Sequence, residues 1–172
     1  MSWSPPPRAW PQACERWRQR IAAALGRTAL RIEHVGSTSV PGLAAKPVVD
    51  IQVSVADLGG EPRYVPPLQA TGLVLRSRDE LHRFLRLPAG QPRGVHVHVC
   101  AAGGQWERDH LLFRDYLRAN RAACPLYAEA KRASARRGSD DGWAYIEAKT
   151  GIILDILEQA AGWAEAANWA PA

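Results

Sequence analysis

The chain has 172 residues, 47% hydrophobic and 23% charged, with 22 Lys and Arg against 17 Asp and Glu and a formal net charge of +5. That length suits one domain burying roughly 70% of its unfolded surface without disulfide or metal staples, and the ordinary apolar content excludes dominant disorder. No apolar run approaches the roughly 20 residues of a membrane-spanning helix, and the modest positive charge fits an anionic small-molecule ligand without calling for nucleic acid.

In chain order, residues 1–9 form a Pro-rich extended lead-in without the apolar segment of a secretory signal, and residues 10–172 read as one domain. Trp10, Cys14, Trp17, Ile21, Ala24 and Leu25 recur at helical spacing, with Pro11 in the first turn and Gly26 as the stop. The tryptophans gather toward the chain ends, and most of them read as scaffold. Residues 30–35 form a strand, 36–47 a loop rich in small residues, and 48–55 a second strand. In that strand Val49, Ile51, Val53 and Val55 share one face, while Val48, Asp50, Gln52 and Ser54 share the other. A short helix ends near Thr71, and strands 72–77 and 82–87 flank the turn Arg78-Asp79-Glu80. Residues 94–100 alternate again, with Val95, Val97 and Val99 opposite His96, His98 and Cys100.

The remainder is helical. Trp106, His110, Phe113, Tyr116 and Leu117 mark one helix, Pro125 opens another reaching Arg137, and Ser139 with Asp140 and Asp141 starts a third that Trp163 and Trp169 close. Glu107, Asp109 and Asp115 read as helix-surface or structural acids, Asp115 with Arg114 as a fixed pair. Helix, strands, then helices predict an α+β fold with a helical C-terminal half. Cys14, Cys100 and Cys124 lack CxxC spacing and read as reduced thiols of a cytoplasmic protein.

The chemistry gathers in the middle of the chain. In GSTSVPGLAAK, Gly36 follows a strand directly, Ser37, Thr38 and Ser39 bring hydroxyls, and Lys46 brings charge; without a GK[ST] run it is not a P-loop. Asp50 and Gln52 follow on one strand face. His96 and His98 near Asp50 suit a borderline divalent metal, a hydrogen bond to a ligand phosphate or to Asp50 itself, or a general base. Of Arg83 and Arg86 only one can share the face with Asp50, and Arg86 is the phosphate candidate. Tyr127–Lys131 and Tyr145–Lys149 are i,i+4 pairs that read either as ligand contacts or as ordinary helix surface.

The run IEHVGSTSVPGLAAKPVVDI (32–51), with HVHV (96–99), FRDYLR (113–118), Tyr127, Lys131, Tyr145 and Lys149, resembles the GrpB family of nucleotidyltransferase-like proteins, which also occurs fused to dephospho-CoA kinases. The resemblance implies an α+β nucleotidyltransferase-like fold, a small mixed sheet with helices packed against it, in which Gly36 and Ser37 hold a triphosphate and Asp50 is the first metal-binding carboxylate. Gln52 stands where a second carboxylate is usual, and His96 and His98 lie where a third would be sought. The implied metal is Mg²⁺ or Mn²⁺, on Asp50, Gln52 and His98, with Asp50 and His98 catalytic. Gly36, Ser37, Thr38, Ser39, Lys46, Arg86, His96, Lys131, Tyr145 and Lys149 would contact the nucleotide. The expected activity is transfer from a nucleoside triphosphate to an acceptor; the alternative is a non-catalytic module binding a nucleotide or coenzyme A. The expected partner is a nucleotide or another phosphorylated small molecule.

Overall fold

In the computed structural model, which describes residues 9–91, 94–129 and 142–171 (side chains of Ala9 and 142–150 excepted), the helical spacing from Trp10 becomes α1, Ala9–Leu25. Its apolar stripe places Trp10, Cys14, Ile21 and Leu25 in the interior. The strands follow: β1 (Arg31–Val35), β2 (Val49–Val55), β3 (Val74–Arg78), β4 (His82–Arg86) and β5 (Val95–Ala101), with α2 (Val65–Ala70) between β2 and β3. The predicted strand at 72–77 starts later because Gly72 is used in the turn leaving α2, its N–H donating to the Gln69 carbonyl.

The five-stranded sheet has the order β1-β2-β5-β4-β3. Every neighbouring pair is antiparallel except β2–β5, which is parallel and lies in the sheet's interior. Strict alternation then fixes the faces. Val49, Ile51, Val53, Val55, Val95, Val97, Val99 and Leu85 point one way and are at most 3% exposed. They pack with Ile21 and Leu25 of α1 and with Tyr64, Val65 and Leu68 at α2. Each such side chain contributes about 1.5–3 kcal/mol by leaving water, so this face carries the core of the unit. Tyr64 is fully buried, and its hydroxyl donates to the Leu58 carbonyl at 2.5 Å. All three cysteines are free, and burial pushes the Cys14 thiol up to about 11 and Cys100 up to about 12.

The chain forms two compact units, one running to His110 and one starting at Leu111. The helix α3 spans Gln105–Ala119, residues 123–129 are helical (α4), and α5 spans Gly142–Ala166. Within the second unit Arg114 Nε donates to Asp115 Oδ1 at 2.7 Å, the pairing expected from sequence. Trp169 departs from expectation: it lies past the end of α5. Asn168 adopts φ +48, and the Trp169 and Asn168 N–H groups return to the Ala164 and Glu165 carbonyls, a Schellman ending. That reversal lets Trp169 Nε1 donate to Asp115 Oδ2 at 3.1 Å. The predicted helix end at Arg137, the Ser139-Asp140-Asp141 start and Lys131 lie outside the described residues. Among the described residues, no helix is long and apolar enough to cross a membrane.

Candidate functional site

The second face of the sheet is polar because the residues alternating with the core valines are Asp50, Gln52 and Ser54 on β2 and His96, His98 and Cys100 on β5. Register arranges them in rows across the strands. Asp50 lies beside His96 and then Arg86; Glu33 beside Gln52, His98 and Phe84; Arg31 beside Ser54, Cys100 and His82. Arg86 is therefore the arginine sharing a face with Asp50. Arg83 points away and binds the Glu61 carboxylate, Nε to Oε1 at 2.5 Å.

In the first two rows three side chains converge. His96 Nδ1 is 3.2 Å from Asp50 Oδ1, and His98 Nε2 is 3.6 Å from the same oxygen. One ligand atom from each of Asp50, His96 and His98 lies within 4.8 Å of the other two. Burial pushes the Asp50 carboxyl up, but the two imidazoles together outweigh it and hold the group well below the usual carboxylate range. The group is ionised at neutral pH.

Gly36 closes this cluster on one side. Its φ of +69° with ψ of −171° lies in a region open essentially to glycine, and a Cβ there would stand 2.6 Å from Asp50 Oδ2. The loop next turns through a short 3-10 segment, Ser37–Ser39, with all three residues buried. The hydroxyls of Thr38 and Ser39, expected to donate to a phosphate, are committed within the loop instead. Thr38 Oγ1 donates to the Val48 carbonyl at 3.2 Å and accepts from His34 Nε2 at 3.0 Å; Ser39 Oγ donates to the Gly36 carbonyl at 2.6 Å. Short hydroxyl side chains bond readily to nearby backbone, and here that bonding sets the shape of the loop. Lys46 is half-buried in the stretch entering β2.

Gln52 is fully buried, yet neither its Oε1 nor its Nε2 has a hydrogen-bond partner. The same is true of His96 Nε2, His98 Nδ1 and Arg86 Nε, and Arg86 has no ion-pair partner among the described residues. Buried polar atoms are nearly always paired, so a group of them on one face marks a surface suited to a polar ligand.

The third row holds the first turn of α3. Glu107, an expected helix-surface or structural acid, is buried: Ser54 Oγ donates to its Oε1 at 2.5 Å and the Gly103 N–H to its Oε2 at 2.6 Å. Arg31 Nη1 stands 3.7 Å from Oε1. Beside that anchor, the Trp106 ring stacks 5.4 Å from His98, 5.1 Å from His82 and 3.5 Å from His110. Phe84 stacks on His98 at 5.1 Å. Trp106 is thus not remote scaffold. His82 and Phe84 were missed as site neighbours, although they alternate with Arg86 on one strand. Tyr145 and Lys149 fall on α5, with side chains outside the description.

A carboxylate and two imidazoles converging from rigid adjacent strands can ligate a divalent cation or move protons beside a bound anion. The two-ion magnesium site that the sequence resemblance implies does not fit these residues. Among the described residues, Asp50 is the one carboxylate whose ligand atom converges with those of His96 and His98, and the uncharged Gln52 is buried in the next row.

Comparison with known proteins agrees with this architecture. The family profile described as GrpB protein matches residues 3–159. A UPF0157 protein of Streptomyces coelicolor is 46% identical over 151 residues, covering 88% of this chain and 79% of the relative. A dephospho-CoA kinase of Mycolicibacterium paratuberculosis is 32% identical over 97% of this chain and 47% of its own length. Among solved structures, the conserved protein GrpB from Enterococcus faecalis superposes with a TM-score of 0.80 at 30% identity, covering 92% of this chain and 96% of that one. A cytoplasmic RNA terminal U-transferase superposes with a TM-score of 0.53 at 15% identity, covering 78% of this chain and 43% of that one. The fold is nucleotidyltransferase-like.

Proposed function

The chain belongs to the GrpB family, and on that basis we propose that it binds a nucleoside triphosphate beside one divalent ion and transfers the nucleotidyl group to an acceptor. The observation carrying this reading is the convergence of Asp50, His96 and His98 directly against the Gly36 turn. Backbone without a side chain lets a phosphate approach closely at Gly36, and Ser37 belongs to the same turn. Lys46 and the unpaired Arg86 supply positive charge for the phosphate chain. Asp50, His96 and His98 hold the ion, which when bound polarises the phosphate under attack. On this reading a hydroxyl of the acceptor attacks the α-phosphate and pyrophosphate leaves.

The test combines thermal stability with pyrophosphate release. A nucleotide at a hundred times its Kd adds about 2.7 kcal/mol of stability, or about 5–10 °C in Tm for a chain of this size. Asp50→Asn is expected to remove both the shift and the release. Absence of any shift across the common nucleotides, with or without divalent metal, counts against the reading. The uncharged Gln52 favours a second reading, a non-catalytic nucleotide- or coenzyme A-binding module. That reading predicts a Tm shift with no pyrophosphate released.

A further inference from the structure

Strands β2 and β5 present two imidazoles and one carboxylate oxygen to a common point, and this donor set discriminates among metals. We infer that the ion held at Asp50, His96 and His98 is a single imidazole-preferring transition metal of the Zn²⁺ or Fe²⁺ class, and not Mg²⁺. The inference rests on the proposed placement of a metal at Asp50 and adds which metal it is.

Geometry is the first argument. Around an ion with bonds of about 2.0–2.1 Å, neighbouring ligand atoms of a tetrahedron stand about 3.3 Å apart. The two nitrogen-to-oxygen separations here are 3.2 and 3.6 Å. The third, between the two ring nitrogens, is bounded by the 4.8 Å span of the cluster. The two nitrogen-to-oxygen edges thus match a tetrahedral site, and the nitrogen-to-nitrogen edge is expected to settle at about 3.3 Å when the ion binds.

Chemistry is the second. Mg²⁺ takes nearly octahedral oxygen ligands and keeps several waters, whereas imidazole suits Zn²⁺ and Fe²⁺. Two of the three donors are imidazole nitrogens. One carboxylate leaves a bound divalent ion with a residual positive charge, which a substrate phosphate then neutralises.

The surroundings of the two rings favour the same ion. Both rings turn one nitrogen toward Asp50 Oδ1 and leave the other, His96 Nε2 and His98 Nδ1, buried and unpaired. Ligation fixes the tautomer, placing the ring proton on those outer nitrogens. For His98 this puts a donor in the same cross-strand row as the unpaired acceptor Gln52 Oε1. Phe84 and Trp106 stacked around His98 restrict water on that side, which favours nitrogen ligation over a hydrated ion.

The test uses the full chain, stripped with chelator and titrated with Co²⁺ as an optical probe. The expected result is one equivalent bound with a visible ligand-field spectrum unlike that of aqueous Co²⁺, displaced by Zn²⁺ and retained in a thousandfold excess of Mg²⁺. His96→Gln and His98→Gln are each expected to weaken Co²⁺ binding at least tenfold with circular dichroism unchanged, and Asp50→Asn to abolish the spectrum. Two variants guard against one failing to fold. A Co²⁺ spectrum identical to that of the free ion, displacement by Mg²⁺, or unaltered binding in both folded histidine variants overturns the inference. Nucleotide-induced Tm shifts are measured separately with Zn²⁺, with Mg²⁺ and without metal, so failure of the metal assignment is distinguishable from failure of nucleotide binding.

Discussion

Replacing Gly36 by alanine tests whether the loop and Asp50 form one constellation. Two penalties apply at this position. The backbone sits at φ +69° and ψ −171°, and forcing an L-residue there stores about 1–3 kcal/mol. The added Cβ would also stand 2.6 Å from Asp50 Oδ2 and 3.1 Å from its Cβ and Cγ, a contact no side chain adopts without displacement. Asp50 cannot swing away freely, because its other oxygen is held by His96, so overpacking adds about 1–3 kcal/mol. The sum, about 2–6 kcal/mol, corresponds to a Tm loss of about 4–24 °C. Gly42→Ala is the matched control: its φ is +82°, but nothing lies within 4 Å of a Cβ there. It meets the backbone penalty alone. Scanning calorimetry on both variants, with Co²⁺ titration alongside, separates the effects. The loss is expected to be larger at position 36, and metal binding to weaken only there. Equal Tm losses with intact Co²⁺ binding in both variants would refute the proposed contact between loop and carboxylate.

Glu107→Gln exchanges a buried carboxylate holding two charge-assisted bonds for an amide that presents N–H₂ to one of the donors; about 2–4 kcal/mol is expected from urea denaturation. Ser54→Ala, removing one of those bonds, is expected to lose about 1 kcal/mol, and equal losses in the two variants contradict the anchoring role. Burial lowers His110 to about 4, only partly opposed by its bond to the Trp106 carbonyl, while the unfolded chain titrates near 6.5. Between those values the unfolded state takes up the proton first, so stability is complete above about pH 6.5 and falls toward pH 4 by up to about 1.4 kcal/mol per pH unit. His110→Gln is expected to flatten that window when urea midpoints are compared at pH 7 and pH 5, and an unchanged slope refutes the assignment.

Much of the architecture was legible in the chain because its signals are local. The alternation of Val49, Ile51, Val53 and Val55 against Asp50, Gln52 and Ser54 gave both faces of β2, and the same pattern gave β5. What local pattern does not carry is strand order. Nothing near residue 95 states that β5 enters between β2 and β4, yet that placement aligns His96 with Asp50 and His98 with Gln52. The burial of Glu107 depends on a hydroxyl far away in sequence, on Ser54, so its helix position alone does not reveal it. Thr38 and Ser39 show the opposite case, since their loop-internal bonds follow from an ordinary tendency of short hydroxyl side chains. Trp169 was misplaced because a single residue, Asn168, turns the backbone left-handed and ends the helical register.

The parallel pairing of β2 with β5 also has a kinetic side. The β3–β4 hairpin closes through a short turn, but Asp50 meets His96 only after the chain has closed a loop of 46 residues. Such closure costs about 3 kcal/mol of chain entropy before the pairing begins to compensate, and contacts of this range slow folding. The cluster of Asp50, His96 and His98 therefore has no local precursor: until β5 is seated in the sheet, its two halves belong to separate stretches of chain. A metal or nucleotide that needs the finished cluster retards unfolding and leaves the search for the fold unaided.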